Sequence, residues 1–107
     1  MHSLPPSAVR QWLDDQRPFL LLDCREHVEY DFARIENSQL LPMSEIADRL
    51  DELNGYRDSP IVVYCHHGVR SLHVANWLIG NGFTQVHNLE GGIDRWSLEV
   101  DPQVPRY

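Results

Sequence analysis

Two apolar runs stand out along the chain, Phe19-Leu20-Leu21-Leu22 and Ile61-Val62-Val63-Tyr64, and neither alternates with polar residues. A strand that is apolar at every position is covered on both faces, as in the middle of a parallel sheet. Shorter runs at Gln39-Leu40-Leu41 and Val86-His87-Asn88-Leu89 predict further strands. Between the runs the apolar positions shift to helical spacing. Met43, Ile46, Ala47, Leu50 and Leu53 fall at i, i+3, i+4, i+7 and i+10, with Ser44 placed to cap the start and Asn54-Gly55 to end it, so an amphipathic α-helix is expected there. Ser7 to Asp15 sets Ala8, Trp12 and Leu13 on one side of a helix, and Arg70 to Asn81 carries Leu72, Ala75, Leu78 and Ile79 on one stripe before the breaker Gly80-Asn81-Gly82. Ile93 and Trp96 suggest a last short helix, while Val28, Tyr30 and Phe32 between Glu26 and Ala33 fit no single period. Strands and helices in alternation predict an α/β domain with a mostly parallel sheet and right-handed crossovers.

The chain of 107 residues is expected to form one domain, 1–107, whose last stretch, 98–107, carries Pro102 and Pro105 and reads as an extended tail. Sixteen acidic residues face nine basic ones, all arginine and all scattered, for a formal charge of −7. Phosphate backbones and anionic lipid call for clustered cations, so neither nucleic acid nor membrane is an expected partner. Two cysteines, Cys24 and Cys65, are too few for a zinc motif, and the histidines have no ligand spacing, so no metal and no cofactor are expected. The start of the chain lacks the charge and apolar run of a secretion signal, and a cytoplasmic protein is expected.

The candidate chemistry lies at the junction Tyr64-Cys65-His66-His67-Gly68-Val69-Arg70-Ser71, where a buried strand passes through a short loop into a helix. Ligands of open α/β sheets sit beyond the carboxyl ends of the strands, where the first amides of the following helix lack intrahelical partners. A loop curled around the Cys65 sulfur would aim successive N–H groups at it. Gly68 would allow the turn, and Arg70 would add positive charge. Such a setting favours a thiolate nucleophile, and the same donors would hold the anion of a persulfide. The competing reading, a cysteine buried for packing beside an ordinary turn glycine, stands at even weight on the motif alone. For His66 and His67 a general acid/base role is weighed against the stronger alternative that their amides matter more than their rings.

The chain resembles the rhodanese domain family along nearly its whole length, in particular its stand-alone members. The resemblance rests on Leu21-Leu22-Asp23-Cys24-Arg25-Glu26 with Glu29-Tyr30, on Ile35 and Pro42, on the loop Cys65–Ser71, and on Val86-His87-Asn88-Leu89-Glu90-Gly91-Gly92-Ile93 with Trp96. It implies a central five-stranded parallel sheet flanked by helices on both faces. It also implies a persulfide on Cys65, a small sulfur donor such as thiosulfate, and acceptors such as cyanide or thiols. Asp23 and Arg25 are then supporting residues that brace the edge of the site. The family pattern Gly-His-Ile-Pro-Gly-Ala is replaced here by Ala33-Arg34-Ile35-Glu36-Asn37-Ser38, which changes the loop before the third strand.

Related cell-cycle dual-specificity phosphatases hold five residues between Cys and Arg, against four here, His66 to Val69. Treated as rings with ~3.5 Å per residue, six residues give a radius of ~3.3 Å and seven give ~3.9 Å. The smaller ring suits one sulfur better than a tetrahedral phosphate. The expectation is therefore a thiosulfate sulfurtransferase. A sulfur-relay module handing sulfur to a partner protein is the alternative, and phosphatase or arsenate reductase chemistry is less favoured. Those phosphatases also carry a cysteine at the position of Cys24 that can close a disulfide, so Cys24 is a candidate redox partner of Cys65, weighed against the favoured reading of a packed apolar cysteine.

Overall fold

The computed structural model describes residues 2–107. Five strands, β1 (His2–Leu4), β2 (Leu20–Asp23), β3 (Gln39–Leu40), β4 (Ile61–Tyr64) and β5 (Val86–Leu89), form one parallel sheet in the order β1-β5-β4-β2-β3. Four helices, α1 (Pro6–Asp14), α2 (His27–Phe32), α3 (Val69–Gly80) and α4 (Gly92–Glu99), connect or flank the strands. This is the expected α/β class with β4 at the centre, so the residue that follows β4 emerges in the middle of the sheet's carboxyl edge.

The side chains of β2 and β4 alternate between two separate cores. Leu20, Leu22, Ile61, Val63 and the two cysteines point to one face, where Val74, Ala75 and Leu78 of α3 close over them with Leu53 and Phe83. Leu21, Val62 and Tyr64 point to the other, against Val9 of α1 and Ile93 and Trp96 of α4. Every residue of both strands is buried, which is why neither shows alternation in sequence.

Several sequence expectations differ from the structure. The segment 43–53 is not an α-helix: a run of turns leads into a 3-10 helix over Leu50–Tyr56. Leu50, Leu53 and Tyr56 repeat at a spacing of three, the period of that tighter helix, and face the first core together. Ser44 caps nothing; its hydroxyl donates to Glu26 Oε1 at 2.6 Å. In α3 the buried face is Ser71, Val74, Ala75 and Leu78, while Leu72 and Ile79 are exposed. In α1 the buried anchor is Val9, which lies outside the expected stripe of Ala8, Trp12 and Leu13. Strand β1 was likewise not anticipated, being a three-residue edge strand with His2 and Ser3 exposed. Helix α4 takes in Leu98 and Glu99 of the expected tail, and residues 100–107 form neither helix nor strand.

Candidate active site

Cys65 is the first residue after β4, and its side chain enters the core on the α3 side with only 1% of the residue exposed. Its Sγ accepts hydrogen bonds from the amides of Gly68 at 3.2 Å and Ser71 at 3.3 Å. The Cys65 thiol donates to Ser71 Oγ at 3.3 Å, and the Ser71 hydroxyl donates to Asn88 Oδ1 at 2.5 Å. Asn88 Nδ2 in turn donates to the Gly68 carbonyl at 3.2 Å. Residues 65, 68 and 71 are thus tied to β5 through one side chain, which holds the first turn of α3 over the sulfur.

The loop curls this way because its carbonyls are claimed from outside. The Ile93 amide donates to the Cys65 carbonyl at 2.9 Å, and the Asp94 amide donates to the His66 carbonyl at 3.1 Å. Both donors belong to the first turn of α4, whose amides have no intrahelical partners. With the oxygens drawn outward, N–H groups of the same loop are left to face inward. The approach is so close that a Cβ on Gly92 would lie 2.4 to 2.6 Å from the backbone of Cys65 and His66, and Gly68 and Gly92 both have positive φ, +98° and +60°. These two glycines are needed for both conformation and space.

Arg70 does not stand free. Its guanidinium grips Glu29 through both carboxylate oxygens, at 2.6 and 2.8 Å. Glu29 also accepts from the Tyr107 hydroxyl at 2.6 Å and from the Glu26 amide at 3.1 Å, the second bond closing a capping box at the start of α2. Chiefly because of Arg70, the carboxyl of Glu29 is held down at about 2 despite its partial burial. Glu29 was named in the sequence only as part of the family pattern. The signal that could have singled it out is the Glu26-x-x-Glu29 spacing ahead of a helix.

Asp23 and Arg25 form a fully buried ion pair at 2.6 Å behind the site. Arg25 also donates to the carbonyls of Ala33 at 2.6 Å and Glu29 at 3.4 Å, and to the Tyr107 hydroxyl at 3.0 Å. Burial opposes its charge, but the bonds to Asp23 and Tyr107 outweigh that effect and keep it a cation. One arginine thereby ties β2, α2, the altered loop 33–38 and the chain's last residue together. In that loop Asn37 takes a positive φ of 68°, a conformation asparagine tolerates, where the family pattern has glycine. The Tyr64 hydroxyl holds the loop from beneath, accepting from the Ile35 amide at 3.2 Å and pairing with Ser38 Oγ at 2.9 Å.

His66 lies sandwiched, its ring 3.8 Å from Tyr107 at an angle of 7° and 3.9 Å from His67. Burial, followed by the neighbouring His67, lowers its pKa, and its Nε2 is buried without a hydrogen-bond partner. His67 is exposed, 3.9 Å from Asp94. Neither ring is hydrogen-bonded to the Cys65 sulfur, and Val69 points outward at the start of α3. Cys24 follows β2, directly beside β4, and its amide donates to the Tyr64 carbonyl at 3.1 Å. Its buried thiol shares the core of Cys65, and burial, then the neighbouring Cys65 and Asp23, push its pKa far up. Both cysteines are free. Tyr107 had no functional signal in the sequence.

No helix among the described residues is long and apolar enough to cross a membrane. Residues 5–99 match the family described as Rhodanese-like domain. The chain is 33% identical over 98% of its length to the probable adenylyltransferase/sulfurtransferase MoeZ of Mycobacterium tuberculosis, of which it spans only 27%. A rhodanese-related protein from Thermoplasma volcanium superposes with a TM-score of 0.84 at 30% identity, each chain covered completely. Thiosulfate sulfurtransferase from Pseudomonas aeruginosa gives 0.85 at 26% identity, covering 99% of this chain and 20% of the other. With the parallel sheet, the strand-to-helix cysteine loop and these likenesses in agreement, the chain belongs to the rhodanese-like domain family.

Proposed function

We propose that this domain is a sulfurtransferase of rhodanese type, which moves a sulfane sulfur from a small donor to a thiol or cyanide acceptor through a persulfide on Cys65. The observation that carries this reading is the pair of amides, Gly68 and Ser71, converging on one buried sulfur at the mouth of the central strand. Fixed N–H dipoles favour a sulfur anion, and water is excluded around it. In the first half-reaction the Cys65 thiolate attacks the outer sulfur of the donor, whose sulfur–sulfur bond breaks with its electron pair leaving on the carrier. In the second, the acceptor attacks the outer sulfur of Cys65–S–S⁻ and the thiolate returns. Residues 66–71 supply the loop; Asp23 and Arg25 brace it.

A relay role, with a partner protein as acceptor, is the second reading. It is favoured by the near-complete burial of Cys65 and by the chain's match to 27% of a larger protein whose name joins adenylyl and sulfur transfer. Two free cysteines suit a reducing, cytoplasmic setting. Thiocyanate formation from cyanide, with thiosulfate and the persulfide of 2-mercaptoethanol each tried as donor, separates the readings: turnover lost in Cys65→Ser supports the enzyme, whereas negligible turnover with both donors while persulfide still forms on Cys65 supports the relay. Hydrolysis of an aryl phosphate dependent on Cys65 would contradict both.

A further inference from the structure

The only cation of the Cys65 loop, Arg70, is already occupied. Glu29 takes its fork bidentately, and Glu29 is itself fixed by Tyr107 and by the Glu26 amide. A bidentate arginine–carboxylate pair satisfies both groups in one plane and carries no net charge. Burial, followed by the neighbouring His67, disfavours the charged form of His66, and the chain as a whole carries −7. An incoming dianion therefore meets backbone amides but no unpaired side-chain cation on this loop, in the field of a negative protein.

The ground beside Glu29 is apolar. Val28, Glu29, Phe32 and Tyr107 line one shallow hollow. Val28 and Phe32 are among the most exposed apolar side chains of the molecule, and the Phe32 ring meets the Tyr107 ring edge-on at 5.8 Å. A surface of this kind contacts an organic group and offers nothing to a sulfonate.

We propose that Glu29 is a specificity-determining residue that, by neutralising Arg70, turns the site away from inorganic dianionic donors and toward hydropersulfides, R–S–SH, whose organic carrier rests against the hollow of Val28, Phe32 and Tyr107. The inference rests on sulfur transfer through Cys65 and names the donor class. In the step, the Cys65 thiolate attacks the outer sulfur of R–S–SH, the donor's S–S bond breaks, and R–S⁻ leaves with the electron pair. The products are Cys65–S–SH and the carrier thiolate; the transferred sulfur keeps its oxidation level and no other reactant is consumed.

The test compares thiosulfate with the persulfide of 2-mercaptoethanol, a carrier without charge, using the whole chain and one common acceptor. Wild type is expected to show a kcat/KM about tenfold or more higher for the persulfide. Glu29→Gln should lower that ratio by about tenfold, chiefly through a smaller KM for thiosulfate as Arg70 is released. Tyr107→Phe, which removes one donor from Glu29, should shift the ratio the same way by less. The salt dependence of wild type gives a measurement that needs no variant: kcat/KM for thiosulfate should stay level or rise with ionic strength, because screening weakens repulsion. A fall with salt, a wild-type preference for thiosulfate, or an unchanged ratio in folded Glu29→Gln overturns the inference. If neither donor leaves a sulfur on Cys65, it is the sulfur-transfer reading itself that fails.

Discussion

The amide of Ile93 donates to the carbonyl of Cys65 at 2.9 Å, so the first turn of the last helix holds the backbone of the candidate nucleophile from behind. This contact exists only because the residue before Ile93 has no side chain. A methyl group on Gly92 would sit 2.4 Å from the His66 carbonyl oxygen, at a φ of +60°. Gly92→Ala is expected to push the loop out of register, lowering stability by roughly 1–3 kcal/mol and persulfide formation by more than about tenfold. Gly55→Ala, where nothing lies within 4 Å, should leave both unchanged. Thermal melts and persulfide yields of the two variants check the contrast.

The buried pair of Asp23 and Arg25 makes a different prediction. Removing the carboxylate charge leaves a guanidinium buried with carbonyl partners and the Tyr107 hydroxyl but no counter-ion. Asp23→Asn should cost about 3–5 kcal/mol in denaturant unfolding. A loss below about 1 kcal/mol would mean that the pair contributes little to holding β2, α2 and the loop 33–38 together.

Acid should release the chain's last residue from the site before it unfolds the core. The carboxyl of Glu29 titrates at about 2 in the folded protein against 4.5 normally, so the unfolded or released state binds the proton first. Its contribution is complete above pH 4.5 and is lost as the pH falls from there to about 2. The ring stack of Tyr107 on His66, read as ring-current shifts in NMR spectra, should fade over that window in wild type. In Glu29→Gln it should already be weakened at neutral pH and should not titrate there with Glu29.

Cys24 and Cys65 follow paired positions of neighbouring strands, Asp23 and Tyr64. Adjacent strands lie about 4.8 Å apart, within the range of a disulfide's Cα separation. Burial nevertheless keeps the Cys24 thiol protonated, and a protonated thiol attacks slowly. Peroxide-treated protein is therefore expected to accumulate a Cys24–Cys65 bridge slowly, and faster as the pH rises. Sulfinic acid on Cys65 with no bridge at any pH would leave Cys24 as a packing residue.

Much of this fold is legible in the sequence where burial is two-sided. Strands β2 and β4 are apolar throughout because a helix layer covers each face, and the loop after β4 can be placed because a strand-to-helix junction leaves its amides free. The segment 43–56 misleads because Leu50, Leu53 and Tyr56 repeat at three, a spacing that an α-helical reading absorbs with little strain. Strand β1 is hidden since only Leu4 of its three residues is even partly covered. Within the site, Cys65, Gly68, Arg70 and Ser71 announce themselves by their local order. Glu29 and Tyr107 do not: their contacts to Arg70 and Arg25 span 41 and 82 residues, and no local pattern encodes a partner so far away.

Sulfur transfer by this route requires that one sulfur be carried covalently on Cys65. Intact-mass and peptide mass spectrometry after exposure to thiosulfate, or to the persulfide of 2-mercaptoethanol, tests it directly. A gain of one sulfur mapped to Cys65, removed by cyanide and absent in Cys65→Ser, is the predicted result. An unchanged mass with both donors, or the same gain in Cys65→Ser, would contradict it.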